Sequence, residues 1–265
     1  TVLDRLPNLV YTGVHIGLIL ALGALGVSLI FGTMGLTNFA HGELITLGAL
    51  MGFVFNNTIG LPLWLSAPLA VAVGAGFGWV QDRFFWGWLR RRRTGLVGMM
   101  IVSIGLALVL RYIYLFQFGG STEQYREYAA QPGIEVGPLL IAPKNMVMDL
   151  VAILVLVAVS FALMRTRLGK ATRAVSTNPS LAAASGIDVD KIIRLIWTIG
   201  GGLAALSGVM LAMFQGVNFM MGFQMLLLVF AAVTLGGLGT AYGALIGSMI
   251  VGIVTQVSTI WVRPS

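Results

Sequence analysis

The apolar segments of this sequence hold few side chains that could do chemistry, and three of them lie close together. Asn38, His41 and Glu43 belong to a glycine-rich stretch that interrupts a hydrophobic pattern. Polar residues at membrane depth are costly and often functional, and irregular backbone is tolerated there only where protein buries it or it lines a wet cavity. We therefore predict that these residues contribute to a substrate path. The alternative is that they fasten one helix to another or lie at the membrane surface.

Other kinds of chemistry are disfavoured by the sequence. It has two histidines and no cysteine, and it has no metal-ligand spacing, nucleophile elbow or glycine-rich phosphate loop. A proton- or sodium-driven transporter would need a relay of buried carboxylates, but only Glu43 and Asp149 lie near apolar segments, at their edges. His15 lies in the first apolar segment, where a bond to a neighbour or an interfacial position is expected; a substrate contact is the alternative. We predict that the chain is not an enzyme.

A polar island of about thirty residues, from Arg165 to Arg194, stands out between apolar segments. Within it, Asn178 can cap a short helix, Pro179 suits the first helical position, and Gly186 can adopt the left-handed conformation that ends it. A rigid capped helix transmits displacement that a flexible loop would absorb. The pattern therefore predicts a handle that a cytoplasmic motor subunit grips.

The elements that carry these residues are predicted to be membrane helices. The chain has 265 residues, of which 58% are hydrophobic and 9% charged, whereas a soluble domain carries roughly 25% charge. The apolar segments lack the period-two alternation of a transmembrane barrel. We predict an all-α, polytopic membrane protein with a single domain over residues 1–265. About eight transmembrane helices are expected near residues 9–31, 44–55, 63–80, 95–118, 146–164, 192–215, 225–235 and 244–260.

The basic residues predict the orientation of this bundle. The net charge of +7 is concentrated in the run Arg90–Arg93 and in the loop 165–191, both next to apolar segments. Such clusters are typical of cytoplasmic loops facing anionic lipid, so a nucleic-acid partner is rejected. Arg111, inside an apolar segment, is expected to snorkel toward an interface, with pairing inside the bundle as the alternative.

Two segments resemble each other faintly. Residues 29–52 and 233–252 each contain a glycine-broken polar turn followed by a segment rich in small residues. Paired interruptions of this kind point to the central path of a transporter. An internal repeat is therefore predicted.

Three stretches together resemble the branched-chain amino acid ABC transporter permease family. They are Thr37–Glu43 (TNFAHGE), the loop from Leu168 to Lys191, and residues 230–247. The resemblance covers most of the chain, in the order and spacing of the family. It implies a multi-pass subunit of an ATP-driven importer in the bacterial cytoplasmic (inner) membrane, translocating branched-chain or related amino acids.

The resemblance also implies partners. A second permease, often non-identical, would pair with this chain around a central path; two ATPase subunits holding ATP and Mg would dock beneath it, and an extracytoplasmic binding protein would deliver substrate. This chain itself would bind no cofactor. The pore lacks a decisive specificity mark, so urea, short amides, sugars or another small neutral solute remain alternative substrates.

The site residues that follow from these arguments fall into two groups. The predicted substrate path contains Asn38, His41, Glu43, Gln215, Asn218 and Thr234. The predicted contact with the ATPase contains Arg173, Asn178, Pro179, Ser180, Leu181, Ala182, Ala183 and Gly186.

The sequence departs from the family in two places. Phe219 follows Asn218 where the family usually has proline, which puts a substrate role of Asn218 in doubt. Family members also usually continue into another apolar helix, whereas the sequence stops at Arg263-Pro264-Ser265. We therefore expect that the natural chain continues.

Overall fold

The computed structural model describes residues 2–127, 132–136 and 139–260. The C-terminal Arg263-Pro264-Ser265 and parts of the long loop before residue 145 lie outside this range. The helices are α1 (Val2–Met34), α2 (His41–Phe53), α3 (Leu63–Val80), α4 (Gly87–Arg91), α5 (Leu96–Phe118), α6 (Pro143–Arg165), α7 (Arg167–Thr177), α8 (Pro179–Ala184), α9 (Val189–Gln215), α10 (Met221–Gly236) and α11 (Ala241–Ser258). Two π-helical segments, Val54–Thr58 and Gln81–Trp86, continue α2 and α3, and strand β1 (Ile134–Val136) pairs antiparallel with β2 (Leu139–Ile141).

Six helical stretches in the described part of the chain are long and apolar enough to cross a membrane. They are residues 6–34, 63–91, 96–118, 143–165, 189–215 and 241–258. The remaining apolar helices are short: α10 has 16 residues, and α2 has 13, or 18 with the π-helical segment that continues it. At about 1.5 Å per residue, neither reaches across a hydrocarbon core of about 30 Å. The predicted membrane bundle is therefore confirmed with six such helices, and the larger number of about eight crossings stays a prediction.

Two of the long helices form the centre of the bundle. The apolar window of α1 is 83% buried and that of α9 is 72% buried, whereas the windows of α3, α5, α6 and α11 are 22–28% buried. The peripheral helices expose mainly aliphatic and aromatic side chains, which suits contact with lipid. The short α2 packs against α9, α3 and α10. Asn38, His41 and Glu43, which we call the signature residues, therefore lie inside the bundle at or just before its start.

Glycine allows α2 to approach α9 backbone to backbone. A Cβ atom at Gly208 would overlap the carbonyl of Ile45, and one at Gly48 would overlap the backbone of Ala205. Small residues promote such contacts in lipid, where no hydrophobic force drives helices together. The contact holds α2 firmly, although α2 is too short to cross the membrane.

The two predicted glycine breaks are real helix ends, and they lie side by side. Gly35 (φ 67°) follows α1, and Gly237 (φ 97°) follows α10. A further helix begins shortly after each break, and the Ser28 hydroxyl joins the two regions by donating to the carbonyl of Thr240 over 3.1 Å. The similar local architecture agrees with the predicted repeat, which stays a prediction.

Candidate functional site

The signature turn is built around Asn38, which shapes the start of α2. Its Oδ1 accepts a hydrogen bond from the backbone N–H of Ala40 over 3.0 Å, and its carbonyl accepts one from the N–H of His41 over 3.3 Å. The Phe39 N–H donates to the Ser103 hydroxyl of α5 over 3.1 Å. These bonds satisfy backbone groups that the break in the helix would otherwise leave unpaired.

Glu43 forms a buried ion pair with Arg111 of α5. One carboxylate oxygen, Oε1, accepts from Arg111 Nε over 3.1 Å and from Arg111 Nη2 over 2.7 Å. The Arg111 guanidinium lies 4.2 Å from the ring centre of Phe223, and the Tyr114 hydroxyl donates to the Glu43 carbonyl over 3.2 Å. The expectation that Arg111 snorkels is wrong: it is 8% exposed, because a carboxylate inside the bundle balances its charge.

His41 is fully buried beside the first helix. Its ring contacts Gly26 and lies beside the backbone of Gly23. Asn38, His41 and Glu43 are each at most 1% exposed. In this conformation they face other helices of the same chain, a geometry that favours the helix-fastening alternative.

His15 has the bond to a neighbour that the sequence predicts. Its Nδ1 lies 2.5 Å from Oδ1 of Asp149 on α6, and the Tyr11 hydroxyl donates to the second oxygen of the same carboxylate over 3.0 Å. The three side chains join α1 to α6 at the end of the bundle opposite Arg165.

The short helix in the polar island has the predicted start and end. The Asn178 side chain accepts from the backbone N–H of Leu181 over 3.0 Å, Pro179 occupies the first helical position, and Gly186 follows with φ 85°. The side chain of Ala182 is buried, whereas Ser180 and Ala183 are exposed. Leu181 is 64% exposed, so α8 presents an apolar side chain to its surroundings.

The helix before α8 is fixed to the end of α6. Arg173 Nη1 donates to the carbonyl of Leu163 over 2.5 Å, and a Cβ atom at Gly169 would overlap that carbonyl. Arg173, predicted to contact the ATPase, thus bonds to the membrane helix of its own chain. A displacement of α8 through α7 would therefore reach α6.

A second connection runs from the start of α9 to the π-helical segment after α3. Asp82 is fully buried, 2.6 Å from Arg90 Nη1 and 3.7 Å from Arg194 Nε, and Arg90 also lies 3.3 Å from Asp190. This cluster is not among the sites predicted from the sequence. An acid eight residues before an arginine run was the available signal.

At the opposite end of the bundle, two of the predicted path residues, Gln215 and Asn218, lie at the turn between α9 and α10. Gln215 ends α9 and is exposed. Asn218 accepts from the N–H of Met220 over 2.8 Å and donates to the Thr122 hydroxyl over 3.2 Å, so it shapes the entry into α10.

Nearby, the Tyr125 hydroxyl donates to the Ala49 carbonyl over 2.9 Å, and burial raises the pKa of this phenol, which keeps it protonated.

Thr234 belongs to an exposed stripe along α10, which we call the α10 face. The stripe consists of Gln224, Leu227, Ala231 and Thr234, which are spaced as one side of a helix. The exposed stripe of α11 differs, since it consists of Tyr242, Ile246, Ile250 and Val254. Leu227 and the neighbouring Leu235 are each 59% exposed, so the α10 face mixes polar, small and leucine side chains, whereas the α11 stripe is bulky throughout.

Comparison with known proteins identifies relatives along nearly the whole chain. The family described as branched-chain amino acid transport system / permease component matches residues 9–264. The high-affinity branched-chain amino acid transport system permease protein LivH of Escherichia coli K12 is 30% identical, with 94% of this chain and 84% of the relative covered. A probable branched-chain amino acid transport permease of Methanocaldococcus jannaschii is 31% identical over 89% of this chain and 75% of its own. The permease BraD of Pseudomonas aeruginosa is 28% identical over 91% and 82%.

No solved structure matches the chain significantly. The family match and the similarity to LivH nevertheless cover the signature turn, the polar island and the α10 face together. With its apolar helices, this chain is a multi-pass inner-membrane protein that belongs to the branched-chain amino acid transport permease family.

Proposed function

We propose that this chain is the membrane-spanning subunit of an ATP-driven importer that carries branched-chain or related amino acids across the inner membrane. The main supporting observation is α8, a capped helix. The helix before it, α7, is bonded to α6, and the start of α9 after it is bonded to the segment that follows α3. Its exposed Leu181 is an apolar side chain beside many charges. Burial of such a side chain by a partner contributes roughly 1.5–3 kcal/mol, so α8 suits docking into an apolar groove.

The proposed assembly contains a second permease, two ATP-binding subunits and an extracytoplasmic substrate-binding protein. The sequence has no glycine-rich phosphate loop, so ATP and Mg belong to the ATP-binding subunits, and this chain contributes motion and a path. The names of the relatives, which describe a transport system with a permease component, support this arrangement.

The proposed path runs along the α10 face, toward the second permease. Thr234 and Gln224 offer polar contacts there, and Gln215 and Asn218 lie near the end at which substrate enters. The signature residues lie on the inner side of α10, where Gly42 contacts Gly222 backbone to backbone. Asn38, His41 and Glu43 therefore set the position of α10 in the path.

The connections at the two sides of α8 explain how motion would enter the spans. On one side Arg173 joins α7 to α6; on the other the Asp82 cluster joins the start of α9 to the segment after α3. Closure of the ATP-binding subunits on α8 would displace both pairs together. Since α2 packs against α9, and α10 packs against α2, the displacement would reach the path.

A coupling experiment tests the proposal. The chain is reconstituted with its partner subunits in proteoliposomes, and uptake of labelled leucine and ATP hydrolysis are measured for Leu181→Arg and for Thr177→Arg. We expect Leu181→Arg to lower substrate-stimulated hydrolysis and uptake about tenfold, since a charge in an apolar groove costs more than 1.4 kcal/mol. Thr177→Arg adds the same charge on α7 and should preserve both activities.

Unchanged uptake in Leu181→Arg, or equal loss in both variants, would contradict the assignment of α8. Competition in the same vesicles tests the substrate. Unlabelled isoleucine and valine should displace leucine uptake, whereas urea and acetamide should not; the reverse order would favour the small neutral solutes.

A further inference from the structure

A groove lies between α3, α6 and α9. It has a volume of about 620 Å³ and is lined almost entirely by apolar side chains, among them Trp64, Val71, Val151, Val155 and Met210. Trp64 is 72% exposed and Val151 is 38% exposed, so the groove opens on the surface of the bundle. In a membrane protein such a surface faces the hydrocarbon of the bilayer.

The length of the groove matches one leaflet. Along α6 it extends from Pro143 to Val155, which corresponds to about 18 Å at the helical rise. Half of a hydrocarbon core is about 15 Å. A transmembrane helix of another subunit would need a groove of the full height, whereas a single acyl chain fits this one.

Opposite charges lie at the end of the groove that is far from Arg165. A small polar pocket of about 40 Å³ adjoins it there, shares Lys144 with it, and is also lined by Gln124 and Glu127. The Lys144 ammonium donates to the Met213 carbonyl over 3.1 Å, and one Glu127 oxygen accepts from the Leu63 N–H over 2.8 Å. These bonds hold a cation and a carboxylate at the mouth of an apolar groove.

We propose that this groove binds one acyl chain of a zwitterionic phospholipid whose headgroup carries an ammonium, of the phosphatidylethanolamine type. The phosphate lies at Lys144, and the headgroup amine faces Glu127. A purely anionic headgroup would meet the Glu127 carboxylate, so the site prefers the zwitterionic lipid. The inference is independent of transport, since it depends only on the groove, its charges and the membrane around it.

Native mass spectrometry of the purified full-length chain tests the site, with phosphatidylethanolamine and phosphatidylglycerol added in equal amounts. We expect the wild type to retain one phosphatidylethanolamine preferentially. Val151→Phe fills the groove and should lower retention about tenfold; Val157→Phe makes the same change on α6 outside the groove and should not alter it. Lys144→Gln should lower retention about fivefold, unlike Arg126→Gln, which removes an exposed cation elsewhere on the same end.

A photoactivatable phosphatidylethanolamine with a diazirine on its acyl chain provides a second measurement on the unmodified protein. Cross-links should concentrate on the groove residues of α3, α6 and α9. Equal retention in Val151→Phe and Val157→Phe, or cross-links spread evenly over all lipid-facing helices, would overturn the proposal. Displacement of the lipid by leucine would overturn it in favour of a substrate site, and a dimer lost only in Val151→Phe would overturn it in favour of a second copy.

Discussion

At the scale of single residues, the buried pair of Glu43 and Arg111 links two helices by charge. The two side chains are 68 positions apart in sequence, and the carboxylate is fully buried. Removing one partner of such a pair strands a charge in a medium that solvates it poorly. The pair therefore fastens α5 to α2 and cannot be lost one partner at a time without cost.

This gives a prediction for stability. Arg111→Leu should destabilise the detergent-purified chain by roughly 3–5 kcal/mol, measured as a lower midpoint of thermal unfolding. The double variant Glu43→Gln with Arg111→Leu should recover a large part of this loss, because no charge is left unpaired. Arg83→Leu changes an exposed arginine and serves as the control. If the double variant is as unstable as the single one, then the pair is not what holds these helices together.

At the scale of elements, the backbone contact between α2 and α9 sets the centre of the bundle. Gly48 and Gly208 lie on either side of it, and no side chain separates the two helices. Because α2 cannot cross the bilayer by itself, it depends on this contact for its position. Because α10 packs against α2, a shift of the contact between α2 and α9 would also move the proposed path.

We therefore expect Gly48→Ala to wedge α2 away from α9. The added Cβ would overlap the backbone of Ala205, so the amount of folded protein recovered by size-exclusion chromatography should fall severalfold. Gly105→Ala makes the same substitution in α5, where no atom lies within 4 Å of the new Cβ; helix propensity predicts a gain of about 1 kcal/mol there. Equal recovery of the two variants would show that the contact is looser than described.

The elements also show which features can be predicted from sequence. Asn178, Pro179 and Gly186 were identified correctly because helix capping is local: each side chain acts within a few residues of itself. The pairing of Arg111 was only the alternative to snorkelling, because it depends on which face of α5 meets α2. In lipid the inner and outer faces of a helix are both apolar, so periodicity does not reveal that face. The cluster around Asp82 and Arg194 was missed because it joins segments far apart in sequence, as Arg90 and Asp190 are 100 positions apart.

At the scale of the whole molecule, the faces of the bundle differ in what they expose. The α11 stripe consists of bulky side chains suited to lipid, whereas the α10 face includes Gln224 and Thr234. The groove between α3, α6 and α9 shares no lining residue with either. These differences support our proposals that the α10 face meets the second permease and the substrate and that the groove faces the bilayer.

The absence of cysteine from the sequence makes this assignment directly testable. Single cysteines at Ala231 or Thr234 of the α10 face should react with a water-soluble thiol reagent in the assembled transporter, and leucine should slow the reaction. Cysteines at Ile246 or Ile250 of the α11 stripe should stay unlabelled, because a charged reagent does not enter lipid. Labelling of the α11 positions with protection of the α10 positions would reverse the proposed geometry.

The burial of α2 has a consequence for synthesis. Its polar signature leaves the ribosome early, but α9 and α10, which enclose it, are made roughly 140 residues later, on the order of ten seconds at ordinary elongation rates. During that interval α2 is too short to cross the bilayer and has a charged residue in its first turn. The helices α9 and α10 that bury it in the folded protein are not yet present. Nascent chains should therefore linger at the insertion machinery until α9 emerges, and chains released before that point are expected to be substrates for membrane proteases.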